Sequence, residues 1–241
     1  MQTAVAVAVQ KENARGIMSD RATNFDDIVA SRHSLRAFLP RQVDADTLAT
    51  IFSVAQCAPS NCNTQPWVVH VASGQKVQAL RSDMPERFMA GNFSMDFPYD
   101  GVYEGVYKER QYGAAQSLYD AVNIPRKDKE GRNKQFMRNF TFFDAPHVAF
   151  LFLPEPFGLR EAADLGMYAQ TLMLTLTAHG LGSCPQTALS FQADFVREQL
   201  GIEASNKLLF GLSFGYPDPD APANACVTDR AGLSDAVAFH S

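Results

Sequence analysis

The sequence predicts an α+β fold built around a small central sheet. Two apolar runs, residues 147–153 and 207–214, have the near-continuous hydrophobicity of strands buried on both faces. Other stretches carry apolar side chains at helical spacing instead. The helices and strands do not alternate in a regular βαβ rhythm, so a doubly wound parallel sheet is not favoured. With 241 residues, the chain is long enough to bury a substantial core.

The first part of the chain is predicted to contain three helices and a strand. The first helix covers residues 25–30. A second helix, over residues 44–56, begins at an N-cap aspartate and has apolar side chains at helical spacing. It ends before Pro59, because a proline disfavours helix in the residue that precedes it. A strand over residues 67–71 and a weaker helix over residues 74–80 follow.

Residues 81–143 have a composition of their own, rich in aromatic and polar side chains. Five tyrosines lie in this stretch: Tyr99, Tyr103, Tyr107, Tyr112 and Tyr119. The four-residue spacing of Tyr103 and Tyr107 predicts a shared helix face. Residues 126–138 hold six basic and two acidic side chains, a local net charge of +4. This charge indicates either a solvated helix face or a site edge that attracts an anion.

The later elements follow from the same patterns. Residues 161–179 predict a long central helix, because apolar side chains cover nearly its whole surface, and Gly180 is placed as its C-terminal cap. A short strand or turn at residues 181–185 and a helix at residues 191–200 come next. The tail, residues 216–241, contains three closely spaced prolines and little periodicity, so an extended arm is predicted.

Composition argues against several classes of protein. The net charge of −5 disfavours a nucleic-acid partner, which requires clustered positive charge. No run approaches the roughly 18 apolar residues of a membrane helix. Residues 1–22 lack the features of a signal peptide and are predicted to form a flexible arm, or one that packs on a partner subunit. The cysteines form no Cys-x-x-Cys pair and no zinc spacing, which indicates reduced thiols, no metal site and a cytoplasmic setting.

Two segments concentrate groups that can bind a ligand. The loop from Pro59 to Trp67 places short polar side chains between a helix and a strand, and it is either a structural turn or a binding loop. Residues 31–36 place two arginines and two serines just after a helix. Arginine forks match phosphate geometry, although a helix end decorated with basic residues is the alternative.

The common signatures of catalytic and nucleotide sites are missing from the sequence. There is no Gly-x-Gly-x-x-Gly opening a βαβ unit, no Walker loop and no Gly-x-Ser-x-Gly elbow. Cys184 precedes a proline in an apolar context, which indicates a packed thiol rather than a nucleophile. Cradle-like loops without an acid–base pair indicate that a bound cofactor does the chemistry, and no catalytic side chain is predicted.

Together these segments resemble the FMN-dependent nitroreductase family, and they occur in its order. Residues 32–36 resemble its Arg-x-Ser-x-Arg motif, and residues 59–67 resemble its Pro-Ser-x-x-Asn-x-Gln-Pro-Trp loop. Residues 180–186 resemble its flavin-facing turn, and Arg230 lies where the family has a phosphate-binding arginine. The Cys-Pro-Gln turn and the segment at residues 139–146 are most similar to the nitrobenzoate reductase branch.

The resemblance implies a nitroreductase-like α+β fold, with a mostly antiparallel central sheet flanked by helices. It implies an intertwined homodimer with an extended C-terminal arm and FMN at the interface. A single domain would cover residues 23–241, with residues 81–143 as a helical and aromatic insertion over the active site and residues 216–241 as the arm.

The FMN-binding residues implied by the resemblance fall into three groups. The phosphate and ribityl end would be held by Arg32, Ser34, Arg36 and Arg230, with the backbone of His33 in the same cradle. The other subunit's loop would contribute Pro59, Ser60 and Asn63. Backbone groups facing the isoalloxazine would come from Pro185, Gln186 and Thr187, where a donor stabilises the negative charge of a reduced flavin.

Two positions depart from the family pattern. Thr228 stands where many members have a lysine, which removes one cation from the phosphate site. The sequence Gln186-Thr187-Ala188 replaces the acidic residue and glycine that many members have after the proline of the turn.

The implied activity is NADH- or NADPH-dependent reduction of a nitroaromatic compound by a ping-pong hydride-transfer cycle. The reacting atoms would lie about 3–3.5 Å apart, with residues 99–143 stacking over a small aromatic acceptor. An anionic acceptor such as a nitrobenzoate gains support if residues 126–138 face the mouth of the site. The alternatives are a quinone reductase, a dehalogenase or a non-catalytic flavin-binding protein. Gln65 favours the nitroreductase side, because the deiodinase-like loop ends in Glu-Pro-Trp.

Overall fold

The computed structural model describes residues 25–241, so the arm predicted over residues 1–22 lies outside the described part of the chain. The described residues form four strands: β1 (Val68–Ser73), β2 (His147–Pro154), β3 (Gly182–Gln186) and β4 (Asn206–Gly215). They make one sheet in the order β1-β2-β4-β3, and each neighbouring pair is antiparallel. The predicted α+β class is confirmed.

Helices pack on both faces of this sheet. In the described residues they are α1 (Phe25–Ser31), α2 (Ala45–Ala55), α3 (Gly74–Met89), α4 (Gly105–Ala121), α5 (Lys129–Met137), α6 (Leu159–Ala178) and α7 (Ala193–Leu200). Short 3-10 turns lie between them, including one at residues 142–144 and one at residues 187–191. No helix of this part of the chain is long and apolar enough to cross a membrane.

Strand β2 is buried on both faces, as its continuous apolar run predicts. Val148, Phe150 and Phe152 face one core, which includes side chains of α3 and α7. Ala149 and Leu151, from the alternate positions, face a second core formed with α2 and α6. The period-2 alternation of a strand therefore divides one apolar run between two cores.

The predicted helix caps are confirmed at both helices of the second core. Asp44 precedes α2, and its carboxylate accepts a hydrogen bond from the Thr47 backbone N–H at 2.8 Å. Helix α6 ends at Ala178, and Gly180 follows with φ +72°, a conformation that suits glycine.

Two predicted features differ from the structure. Helix α3 continues to Met89, well beyond the predicted end at residue 80, because Val77, Leu80 and Met84 all bury on one face. Helix α4 begins at Gly105, so Tyr103 precedes it and does not share a helix face with Tyr107.

A buried ion pair attaches the start of the aromatic segment to the sheet. Arg197 donates to both carboxylate oxygens of Asp96, at 2.6 and 3.0 Å, and both side chains are only 8% exposed. The Asp96 carboxylate also accepts the Leu208 backbone N–H at 2.7 Å. These bonds join the insertion at residues 81–143 to α7 and β4.

His147, the first residue of β2, is held in a neutral form by its hydrogen bonds. Its Nε2 accepts the Val43 backbone N–H at 3.0 Å, and its Nδ1 lies 2.5 Å from the Ser73 hydroxyl. Burial lowers the pKa of His147. A proton added at Nε2 would break the bond from Val43, so the charged form is disfavoured in the folded protein.

His147 should make the folded state sensitive to mild acid. Burial lowers the pKa of His147 in the folded state. Its contribution to the free energy of unfolding is therefore complete above the unfolded pKa of about 6.5, and it is lost as the pH falls below that value. In urea unfolding between pH 7 and 5, we expect His147→Gln to lose stability less steeply than the wild type, by at most about 1.4 kcal/mol per pH unit. His240→Gln, at an exposed position, serves as the control. Equal slopes for the wild type and His147→Gln would contradict this assignment.

Candidate cofactor-binding site

The segment after α1 lies beside β3 and extends the sheet at its edge. Ser34 forms an isolated parallel bridge with Ser183, and the Leu35 N–H donates to the Ser183 carbonyl at 3.0 Å. Gly182 allows this close approach, because a Cβ at that position would overlap the Leu35 side chain. The structure therefore brings the residues 32–36 motif against the predicted flavin-facing turn.

Three arginines predicted to bind the cofactor act on one another or on a common neighbour. Burial lowers the pKa of Arg32, and the nearby charge of Arg230 lowers it further. Burial raises the pKa of the Cys184 thiol to about 11, against the opposing effect of Arg36 and Arg32. The ion pairs among the described residues involve none of the three arginines. This uncompensated positive charge suits a phosphate.

Asn224, in the tail, joins the arginine motif to the C-terminal arm. Its side-chain oxygen accepts the backbone N–H groups of Arg36 and Ala37, at 2.7 and 3.1 Å. Its amide nitrogen donates to the carbonyls of Ala37 and Asp218, at 2.8 and 2.9 Å. No sequence pattern indicates this role for Asn224, because an asparagine in a proline-rich tail indicates only a turn.

The His33 ring contacts both its own segment and the tail, whereas Arg230 contacts the residues just before it. The two ring nitrogens of His33 face the carbonyls of Ser31 and Asn224, at 2.8 and 3.1 Å. The ring thus stabilises the motif, consistent with a ligand contact through the His33 backbone. Arg230 donates from Nη1 to the carbonyls of Thr228 and Asp229, at 3.0 and 2.7 Å.

The predicted flavin-facing turn lies on the edge strand of the sheet, β3. Pro185 and Thr187 are exposed, whereas the side chain of Gln186 is buried between them. Among the described residues, the segment after α1 pairs with β3 only at Ser183, so the edge of the strand beyond it leaves backbone groups unpaired. The turn therefore offers backbone groups, rather than the Gln186 side chain, to a molecule that lies on this edge.

The loop at residues 59–67 is folded tightly on itself. The Ser60 hydroxyl accepts the Gln65 backbone N–H at 2.9 Å. Cys62, Asn63 and Gln65 have positive φ values of 50°, 57° and 48°. Residues other than glycine adopt this conformation at some cost, and such residues concentrate at binding sites.

Both ends of the loop are anchored to helices. The Asn61 N–H donates to the buried carboxylate of Asp164 in α6, at 3.1 Å. Trp67 donates from Nε1 to Gln56 at 2.9 Å and stacks on Tyr168, with ring centroids 4.9 Å apart. Trp67 is thus a structural anchor, and the exposed residues between the anchors remain available to a ligand.

A cavity of about 560 Å³ lies between α4 and the tail. Its lining residues are Val106, Arg110, Ala114, Thr228, Asp229, Arg230, Ala231 and Asp235. Arg110 brings a cation to the cavity that Thr228 lines, where many family members have a lysine. No sequence pattern indicates that Arg110 belongs to the site, because a single arginine on an exposed helix is common on protein surfaces.

The basic segment at residues 126–138 has part of its charge neutralised. Lys134 pairs with Glu130 at 2.7 Å, and Arg138 pairs with Asp144 at 3.2 Å. Both cations line a second cavity, of about 700 Å³, beside Phe88. No group of three His, Cys, Asp or Glu side chains among the described residues could hold a metal ion.

A sequence model of the nitroreductase family matches residues 29–216, which is more than half of the chain. The chain belongs to the nitroreductase family. It is 43% identical over 224 residues to the nitroreductase NfnB of Mycolicibacterium smegmatis, covering 91% of this chain and 94% of that protein. It is 33% identical over 205 residues to a 4-nitrobenzoate reductase of Pseudomonas putida, covering 84% of this chain and 89% of that protein.

A solved nitroreductase structure matches the fold throughout. The FMN-dependent NfnB of Mycobacterium smegmatis, in complex with NADPH, superimposes with a TM-score of 0.86 at 42% identity. The match covers 90% of this chain and 97% of the NfnB chain. As in the sequence analysis, nitrobenzoate reductases are among the relatives of this nitroreductase.

Proposed function

We propose that the protein is an FMN-dependent oxidoreductase that uses NADH or NADPH to reduce nitroaromatic compounds. The observation that carries the proposal is the group of arginines without acidic partners, Arg32, Arg36 and Arg230, beside the edge strand β3. Arg32 and Arg36 are half-buried, whereas Arg230 is exposed, and the half-buried cations are costly unless an anion accompanies them. FMN carries such an anion in its phosphate, and NfnB, at 43% identity, is described as FMN-dependent.

In this proposal the cradle holds the phosphate and ribityl end of FMN. Arg32, Arg36 and Arg230 supply charge-assisted hydrogen bonds, and Ser34 supplies a hydroxyl. The Asn224 side chain fixes the backbone of Arg36 and so sets the position of the cradle relative to the tail. Arg110 adds a further cation near Thr228.

The isoalloxazine would lie along the edge of β3. Backbone groups of Pro185, Gln186 and Thr187 orient the ring, and a backbone N–H aimed at it stabilises negative charge there. When bound, FMN supplies hydride acceptance from NADH or NADPH and hydride donation to the acceptor. The protein contributes orientation of the reacting molecules and exclusion of water.

The loop with Pro59, Ser60 and Asn63 would complete the site of the other subunit in a homodimer. Within the described chain, no hydrogen bond joins this loop to Arg32, Arg36 or Arg230. Helix α4 also contributes no buried residue within one subunit. Both features are those expected of surfaces that a second copy covers.

The insertion at residues 81–143, within one domain over residues 23–241, would form the roof under which a small aromatic acceptor stacks. Its exposed aromatic side chains include Tyr99, Tyr107 and Tyr112, and rings of this kind stack on aromatic ligands. The free thiols of all four cysteines support a reducing, cytoplasmic location.

The central test uses purified protein under anaerobic conditions. We expect yellow absorbance that NADH or NADPH bleaches and that a nitroaromatic then restores, because the two half-reactions are separate. A nitrobenzoate and neutral nitrobenzene serve as matched acceptors, and a quinone and a halogenated aromatic test the alternative activities. Bound FMN without bleaching would identify a flavin-binding protein instead, and absence of FMN binding would overturn the proposal.

A further inference from the structure

The side chain of Gln186 joins the flavin-facing turn to two other parts of the chain. Its Nε2 donates to the backbone carbonyl and to the side-chain oxygen of Asn139, at 2.9 and 3.2 Å. Its Oε1 accepts a hydrogen bond from the Ser213 hydroxyl in β4. Gln186 and Ser213 are both almost fully buried, so these bonds are shielded from water.

The part of the insertion that Gln186 contacts is rigidly built. Asn139 lies just after α5. Three residues further along the chain, a turn at residues 142–144 has consecutive positive φ values of 59°, 52° and 66°. Arg81 clamps this turn by donating to the carbonyls of Thr141 and Ala145, at 3.1 and 2.5 Å. The insertion therefore presents the oxygens of Asn139 to Gln186 in a fixed place.

The position of Gln186 in β3 connects this clamp to the site. Its neighbours Pro185 and Thr187 are exposed on the opposite side of the strand, because side chains alternate along a strand. The hydrogen bonds of the Gln186 side chain thus restrain the backbone on which those two residues lie. The chemistry also demands an amide, since the side chain must donate to Asn139 and accept from Ser213 at once.

We propose that Gln186 is a positioning residue, which fixes the flavin-facing turn relative to the end of the insertion through Asn139. This inference rests on the proposed function, in which the turn contacts the isoalloxazine and the insertion covers the acceptor. It assigns a role to the Gln186 amide, which stands where many family members have an acidic residue. The position of the flavin relative to the acceptor would then depend on this one side chain.

The first variant for the test is Gln186→Met, which keeps the length of the side chain and removes its hydrogen bonds. Its FMN dissociation constant, the midpoint potential of its bound FMN, and its kcat and KM for a nitroaromatic are compared with those of the wild type. We expect FMN affinity within about threefold, a more negative midpoint potential, and a KM about tenfold higher, as for a buried hydrogen bond left unmade. A loss of stability alone would not move the potential or the KM of the folded enzyme.

Two further variants separate the contacts of Gln186. Ser213→Ala removes only the bond to Oε1, so it should change the potential and the KM less than Gln186→Met does. Gln186→Glu has no donor when ionised, but the protonated acid can donate to Asn139. Its defects should therefore diminish as the pH is lowered, whereas those of Gln186→Met should not. If Gln186→Met does not fold, the pH dependence of Gln186→Glu relative to the wild type decides the matter.

An unchanged potential and KM in Gln186→Met, or no pH-dependent recovery in Gln186→Glu, would overturn the inference while leaving FMN binding intact. Failure of the wild-type protein to bind FMN would instead overturn the proposed function. The FMN titration of the wild type distinguishes the two outcomes before any variant is examined.

Discussion

Asp96→Ala is expected to lower the free energy of unfolding by about 3–5 kcal/mol, the cost of leaving a buried charge without its partner. The carboxylate makes two bonds to Arg197 and one to the Leu208 N–H, and its side chain is 8% exposed. Urea unfolding followed by circular dichroism, at fixed protein and FMN concentrations, measures the loss.

Asp194 provides a matched control for this prediction. Its carboxylate also pairs with Arg197, at 2.5 Å, but it is 75% exposed. Asp194→Ala should therefore cost no more than about 1 kcal/mol. The double variant Asp96→Leu with Arg197→Met should recover much of the loss, because both buried charges are removed together. Equal losses in Asp96→Ala and Asp194→Ala would show that burial of the pair is not what stabilises the fold.

Arg230→Ala should weaken FMN binding about 10–150-fold, since a charge-assisted hydrogen bond contributes about 1.5–3 kcal/mol. The family's neighbouring lysine is replaced by Thr228, so Arg230 is the only lysine or arginine in residues 216–241. Fluorescence titration of the apoprotein with FMN measures the change. Arg230→Lys should be intermediate, because it keeps the charge and loses the fork of donors.

Arg160→Ala is the control for loss of a positive charge, because Arg160 is exposed at the start of α6, away from the arginine cradle. It should leave FMN affinity unchanged. If Arg230→Ala binds FMN as tightly as the wild type, then Arg230 does not contact the phosphate, and the cradle would consist of the residues 32–36 segment alone.

The parts of the fold that the sequence predicts are those with local patterns. The apolar run of β2, the all-round apolar surface of α6 and the aspartate cap of α2 each lie within one stretch of chain. The contacts that hold these elements together join distant residues, such as Arg197 with Asp96 or His147 with Val43. Periodicity predicts which face of an element is buried, but it does not predict which distant polar groups form hydrogen bonds or ion pairs with each other.

The site also contains some residues that sequence patterns predict and others that they do not. The arginine motif and the loop at residues 59–67 are visible as short patterns, whereas Asn224 and Arg110 are not. The backbone of the loop was also unpredictable, because Cys62 and Gln65 are not residue types that favour positive φ. Gln186 was expected to act through its backbone, and the structure adds a side chain that is already fully engaged with Asn139 and Ser213.

The hydrogen bonds of Asn224 to the arginine motif separate the residues that form the sheet from those that complete the cofactor site. Strands β1 to β4 and all seven helices of the described chain precede residue 216, so a chain cut after residue 215 keeps every residue of the sheet. Such a chain lacks both Asn224 and Arg230, and its cradle stays incomplete. Cofactor binding in the proposed site thus depends on residues of the tail, and we expect the shortened chain to bind FMN more weakly than the 241-residue chain.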